Sequence, residues 1–173
     1  MSFSFYDVSV GVFRQYLAAL SGVLGKAEAH CGSGALAEAD VIGARLFEDM
    51  QPFTFQVMQS ISNSAGAVAM LRGESYPRAE GLETLAGCKK AVDAAVAYLD
   101  GVKPGDITVG ADDDVKLAMP RGSMTFTARD YLFTFAYGNF FFHATTAYDI
   151  LRHLGVAVGK RDYLGAAKIK AMD

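Results

Sequence analysis

The residues best placed to do chemistry are Asn139 and His143, spaced as N-x-x-x-H. In a helix they lie one turn apart and present an amide and an imidazole on one face. Such a pair suits a metal half-site or two polar anchors for a ligand. The alternative is a buried histidine hydrogen-bonded to a neighbour. His153 lies ten residues on. At about 100° per residue that leaves it about 80° away from the His143 face, so the two cannot chelate together. It reads instead as a cation facing the negative end of the helix dipole. His30 stands beside Cys31 in a glycine- and serine-rich stretch, His30–Gly34. One imidazole and one thiol fall well short of the four ligands of structural zinc. The run Asp112-Asp113-Asp114, with Asp106, lacks the alternating ligands, central glycine and final glutamate of a calcium loop, and reads as a solvated turn. Neither a G-x-S-x-G elbow, a P-loop nor a dinucleotide glycine fingerprint is present. Lys160-Arg161 offers two charges that read as soluble surface.

The element that must position Asn139 and His143 runs from Thr127 to Gly155 as one long C-terminal helix, about 40 Å at 1.5 Å per residue. Thr127 and Asp130 resemble a capping box, with Asp in place of Glu. Arg152 and His153 suit the last turn, and Gly155 suits a left-handed cap. Leu132, Ala136, Asn139, His143, Thr146 and Ile150 form one stripe. Phe133, Tyr137, Phe140, Phe141, Ala144, Tyr148 and Leu151 form a second. A helix apolar on so much of its circumference must be central, or must pack its own bundle on one face and a second subunit on another.

Three further long helices are expected. The first spans Tyr6 to Glu28 and carries Val8, Val12, Tyr16, Leu20, Val23 and Leu24 three or four apart. A short helical piece at Glu38 to Phe47 follows. The second long helix runs from Pro52, suited to a first turn, to Leu71, with Phe53, Val57, Ile61, Ala65, Val68 and Leu71 inward. Ser60, Ser62, Asn63 and Ser64 dilute its middle with small polar groups that permit close contact or line a polar cavity. The third spans Leu82 to Leu99, with Leu85, Val92, Val96 and Leu99 inward. Between Asp106 and Phe126 the period changes from helical to alternating: Val115, Leu117 and Met119, then Met124 and Phe126, flank Pro120-Arg121-Gly122. That is a hairpin signal, and a lone hairpin must lean on the bundle. After the last helix, Tyr163 and Leu164 should dock the tail while Lys160 and Arg161 stay solvated.

Length and composition fit one globular domain, residues 1–173, with 51% hydrophobic and 20% charged residues. A net charge of -3 argues against a nucleic-acid surface. Cys31 and Cys88 show no CxxC spacing and read as free thiols in a reducing cytoplasm. Neither a signal peptide nor a charge-free span of membrane length is apparent, so the expected location is cytoplasmic, away from membranes.

The last helix and its exit, HATTAYDILRHLGVAVGKRDYLG from His143, together with ARLFEDMQPFTFQV from Ala44, resemble an uncharacterised bacterial branch of the DinB-like (YfiT-like) helical superfamily. The likeness covers most of the chain. It implies an all-α fold: a four-helix bundle of up-down-down-up topology, commonly dimeric, here with a small β-hairpin between the third and fourth long helices. In metal-binding members a histidine of the second helix joins an H-x-x-x-H pair on the last. Measured from the Leu154-Gly155-Val156 exit, His143 matches the second histidine of that pair, and Asn139 stands where the first would be. Near the second-helix position this sequence has Gln51 and Gln56 but no histidine. Amides are poor partners for imidazole around zinc or nickel. The expected site is therefore a polar remnant pocket at Gln56, Asn139 and His143, binding a small molecule without catalysis and without a cofactor. The alternative is a hydrolase or thiol transferase holding a divalent metal weakly at His143. The expected macromolecular partner is a second copy, docked through the last helix.

Overall fold

The computed structural model describes residues 4–119 and 121–170. Ser4 caps α1 (Phe5–Gly32), its side chain accepting from the Asp7 N–H while the Asp7 carboxylate accepts from the Ser4 N–H. The buried stripe of α1 is centred on Phe13, Leu17 and Leu24; Val8, Val12 and Tyr16 lie half-buried at its edge. The helix runs on to Gly32, so His30 and Cys31 occupy its last turn rather than a loop. A short α2 (Glu38–Ile42) follows.

The second long helix is broken in two, α3 (Phe53–Ser62) and α4 (Ala65–Leu71). Its own polar side chains account for the break. Ser60 Oγ donates to the Gln56 carbonyl, Asn63 Nδ2 to the Gln59 carbonyl, and Ser64 Oγ to the Ser60 carbonyl. Hydroxyls and amides that bond back to their own helix compete with its ladder and bend it. Thr84 caps α5 (Leu85–Gly101), and Glu38 accepts from the Leu85 N–H at 2.6 Å, tying α2 to its start. Leu85, Cys88, Val92, Ala95 and Leu99 face inward. A 3₁₀ turn (Pro104–Asp106) leads to the antiparallel hairpin of β1 (Asp114–Met119) and β2 (Gly122–Thr127), with Val115 opposite Phe126 and Leu117 opposite Met124. Pro120 of the expected turn lies outside the described residues. The hairpin leans on the bundle through buried Val115 and through Phe126, which packs against Tyr131 and Phe135.

The last helix is continuous but not uniform. Thr127 caps α6 (Ala128–Asp130), a π-helical stretch (Tyr131–Ala136) follows, and α7 (Tyr137–His153) completes it. Its exit is a Schellman motif: Gly155 takes φ +88°, and Val156 N–H reaches the Leu151 carbonyl at 3.0 Å. The chain then lays α8 (Lys160–Leu164) back on α1. Gln15 Nε2 donates to the Leu164 carbonyl, Lys26 pairs with Asp162, and Tyr163 packs on Tyr16 and Tyr148.

Paired positions give the topology. Arg14 meets Asp100 while Ser21 meets Asp93, so α1 and α5 are antiparallel. Phe13 packs on Tyr137 and Tyr16 on Phe141, so α1 and α7 are parallel. Gln56 meets His143 while the later Gln59 shares a groove with the earlier Asn139, so α3 and α7 are antiparallel. The long helices therefore run up, down, down, up. Tyr137, Phe141 and Tyr148, expected to face a second subunit, are covered largely by α1 and α8 of the same chain; Phe133 remains exposed. Among the described residues only α1 is long and apolar enough to span a membrane, and half of that apolar window is buried in the bundle.

Candidate functional site at the α3–α7 seam

His143 sits in the second turn of α7, 9% exposed, facing Gln56 in the first turn of α3, itself 1% exposed. The His143 Nδ1 to Gln56 Oε1 distance is 2.7 Å. On its other side Gln56 Nε2 donates to the Gln51 backbone carbonyl at 2.8 Å. That second bond settles the first. A carbonyl can only accept, so the amide nitrogen must face Gln51 and the amide oxygen must face His143. The imidazole must then carry its proton on Nδ1. Burial holds the His143 pKa below its ordinary value, so at neutral pH the ring is uncharged. Nε2 is consequently a bare lone pair. No described group bonds it, and it is not sealed from solvent. Phe55 and Phe142 stand edge-on to the ring, with centroids 5.9 Å and 5.2 Å away. What the arrangement offers is one neutral acceptor on an imidazole packed against two phenyl rings.

Asn139, one turn earlier, is not part of this contact. Its Nδ2 donates to the Phe135 carbonyl at 2.8 Å, at the end of the π-helical stretch. Its side chain lines a neighbouring groove of about 410 Å³ bounded by Gln59, Asn63, Tyr131 and Phe135 among others. The three expected pocket residues are therefore divided: Gln56 and His143 meet, and Asn139 turns to the groove. Gln51 contributes only its backbone carbonyl. The sequence reasoning did not single out Phe55 and Phe142, since aromatic residues near a histidine carry no spacing signal. Of Ser60, Ser62, Asn63 and Ser64, expected to permit close helix contact or to line a polar cavity, Ser62 and Asn63 line the groove, while Ser60 and Ser64 are buried and bond their own helix.

The donor set does not fit a tightly held transition metal. The Gln56 oxygen is committed to Nδ1, the Asn139 nitrogen to its own helix, and the described residues contain no group of three His, Cys, Asp or Glu that could hold an ion. The remaining candidates stand apart. His153 is exposed in the last turn of α7, and His30 is half-exposed at the end of α1. Cys31 and Cys88 are free, and burial raises the pKa of both thiols, that of Cys88 to about 12. Neither is a ready thiolate nucleophile. Asp112 pairs with Arg129, and Asp113 accepts from the Gly110 N–H as a turn cap.

No curated protein matches the chain. Among solved structures, a DinB family member protein from Shewanella denitrificans is similar over 96% of this chain and 95% of its own, with 32% identity and a TM-score of 0.83. Residues 5–164 match the family described as a domain of unknown function, DUF1993. With that span and that likeness, the chain belongs to the DUF1993 family of DinB-like helical bundles.

Proposed function

We infer that this protein binds a small organic molecule at the α3–α7 seam, through a hydrogen bond donated by the ligand to His143 Nε2, and that it does so without catalysis. The observation that carries this reading is the Gln51–Gln56–His143 relay, which leaves one unpaired neutral acceptor between two aromatic edges. The acceptor has no protein partner and stays open to solvent, so a ligand donor can reach it and exchange a water for a bond beside the rings. The hydrogen bond and ring contacts described for the imidazole are to an amide and two phenyl groups, none of which transfers protons. The competing reading is an enzyme with a weakly bound divalent metal on Nε2. It has one point in its favour, since ligating histidines commonly donate their other N–H to a carbonyl-type oxygen. A single imidazole without two further ligands argues against it.

Two measurements separate these. Elemental analysis of protein purified without a polyhistidine tag should find no stoichiometric metal that depends on His143. Zinc, nickel or iron at one per chain that disappears in His143→Ala would overturn the reading. Titration with phenol, a ring bearing a donor, should shift the His143 ring signals more than anisole, which lacks one; equal shifts would remove the role given to Nε2. The homodimer expected through the last helix rests now on Phe133 and Phe142, 49% and 56% exposed. Light scattering showing a monomer at micromolar concentration would withdraw it.

A further inference from the structure

We propose that the groove between the α3–α4 joint, the hairpin and the π-helical turn is a second binding site, and that it takes an organic cation: a primary amine on an aromatic body. Three observations converge on that class. The first is which ends of the amides are free. Asn63 Nδ2 donates to the Gln59 carbonyl at 2.9 Å and Asn139 Nδ2 to the Phe135 carbonyl at 2.8 Å. Each amide nitrogen thus spends one of its two N–H groups on its own helix, while each Oδ1 accepts from no described group and keeps its full capacity for a ligand. Two free amide oxygens on residues that line one groove suit a donor-rich group.

The second is charge. The residues lining this groove include one carboxylate, Glu74, and no lysine, arginine or histidine. Arg72 pairs with Glu74 at 3.0 Å but is not among the groove's lining residues. An anion entering the groove therefore finds neutral amide and hydroxyl donors but no cation in the lining, whereas an ammonium finds the Glu74 carboxylate and the free amide oxygens. The third is the aromatic wall. Tyr131 and Phe135, brought together across the π-helical turn, lie nearly parallel at 6.0 Å with an interplanar angle of 20°, and Tyr76 contributes a further ring. Aromatic faces attract both an aryl body and an ammonium group. The volume, about 410 Å³, is that of a small-ligand pocket. Widened helical turns recur at functional sites because they re-aim side chains, and here the turn supplies two ring positions and the carbonyl that orients Asn139.

The test is an NMR titration of the ¹⁵N-labelled full chain with 2-phenylethylamine, run beside phenylacetate and 2-phenylethanol at matched ionic strength. The amine should shift the side-chain amide signals of Asn63 and Asn139 saturably. It should bind at least about tenfold more tightly than phenylacetate. Glu74→Gln and Asn139→Ala should each weaken the amine, and His143→Ala should leave its affinity unchanged, which separates this site from the His143 site. Asn139→Asp, which adds a charge without adding bulk, should tighten it and serves if the alanine variant folds poorly. Phenylacetate binding as well as the amine, shifts centred away from Asn63 and Asn139, or no saturation with a Kd below about 10 mM would overturn the proposal.

Discussion

Gln56 decides what His143 can do. Replacing it with leucine leaves the Nδ1–H and the Gln51 carbonyl without their partner, and should cost about 1–3 kcal/mol in urea unfolding, far more than an exposed glutamine would. The histidine also sets a pH dependence of stability. Its folded pKa lies below the ordinary value of 6.5, so the unfolded chain takes up this proton first. Its contribution is therefore intact above about pH 6.5 and is eroded as pH falls from there towards the folded value. The melting temperature should decline through that window in the wild type and less so in His143→Gln. An equal decline in both would show that another group is responsible. The sequence placed His143 on an inner stripe from spacing alone, and burial agrees. It could not reveal the tautomer, because that depends on a glutamine 87 positions away and on a backbone carbonyl beyond it. Asn139 was placed with His143 by helical spacing, which holds between them in α7; what spacing could not show is that the Asn139 amide bonds back to the Phe135 carbonyl instead of reaching the imidazole.

The helices formed where period and caps agreed, and departed from expectation where side chains bonded their own backbone. Thr127 and Gly155 bound the last helix as their types suggest. Thr127→Ala should cost about 0.5–2 kcal/mol through the lost bond from the Asp130 N–H. Gly155→Ala should cost about 1–2 kcal/mol, because φ +88° is unfavourable for any residue with a Cβ even though the space around it is open. Both are read from denaturant midpoints at unchanged slope. The α3–α4 break was legible only in part: Ser60, Asn63 and Ser64 were recognised as polar dilution, but not as groups that would turn back on the ladder. Alternation identified the hairpin directly, since a two-residue period has no helical counterpart. It is held by few apolar contacts, so Phe126→Ala should speed amide exchange in β1 and β2 while leaving α1 and α5 protected. Equal acceleration throughout would mean that the hairpin is integral to the bundle rather than docked on it.

Across the whole molecule, α1 is the element that joins the rest. It packs antiparallel on α5 and parallel on α7, and carries α8 on its outer edge. Phe13, fully buried between Tyr137 and Phe140, is the centre of that arrangement, and Phe13→Ala should cost about 3–5 kcal/mol. Four long periodic segments made an all-α bundle legible, while its up-down-down-up topology came from the likeness to DinB-like bundles. Much of the aromatic richness of the last helix goes into packing within the chain. A sequence cannot say that Phe13 will pack on Tyr137, Tyr16 on Phe141 and Tyr163 on Tyr148 within the same chain. The proposed function turns on a smaller matter, the state of one imidazole. A long-range ¹H–¹⁵N correlation spectrum of the histidine side chains at pH 7.5, in protein purified without a tag, reads it directly. The account predicts a protonated Nδ1 and a bare Nε2 on His143; a proton on Nε2, a charged ring, or an Nε2 signal that moves when chelator is added would contradict it.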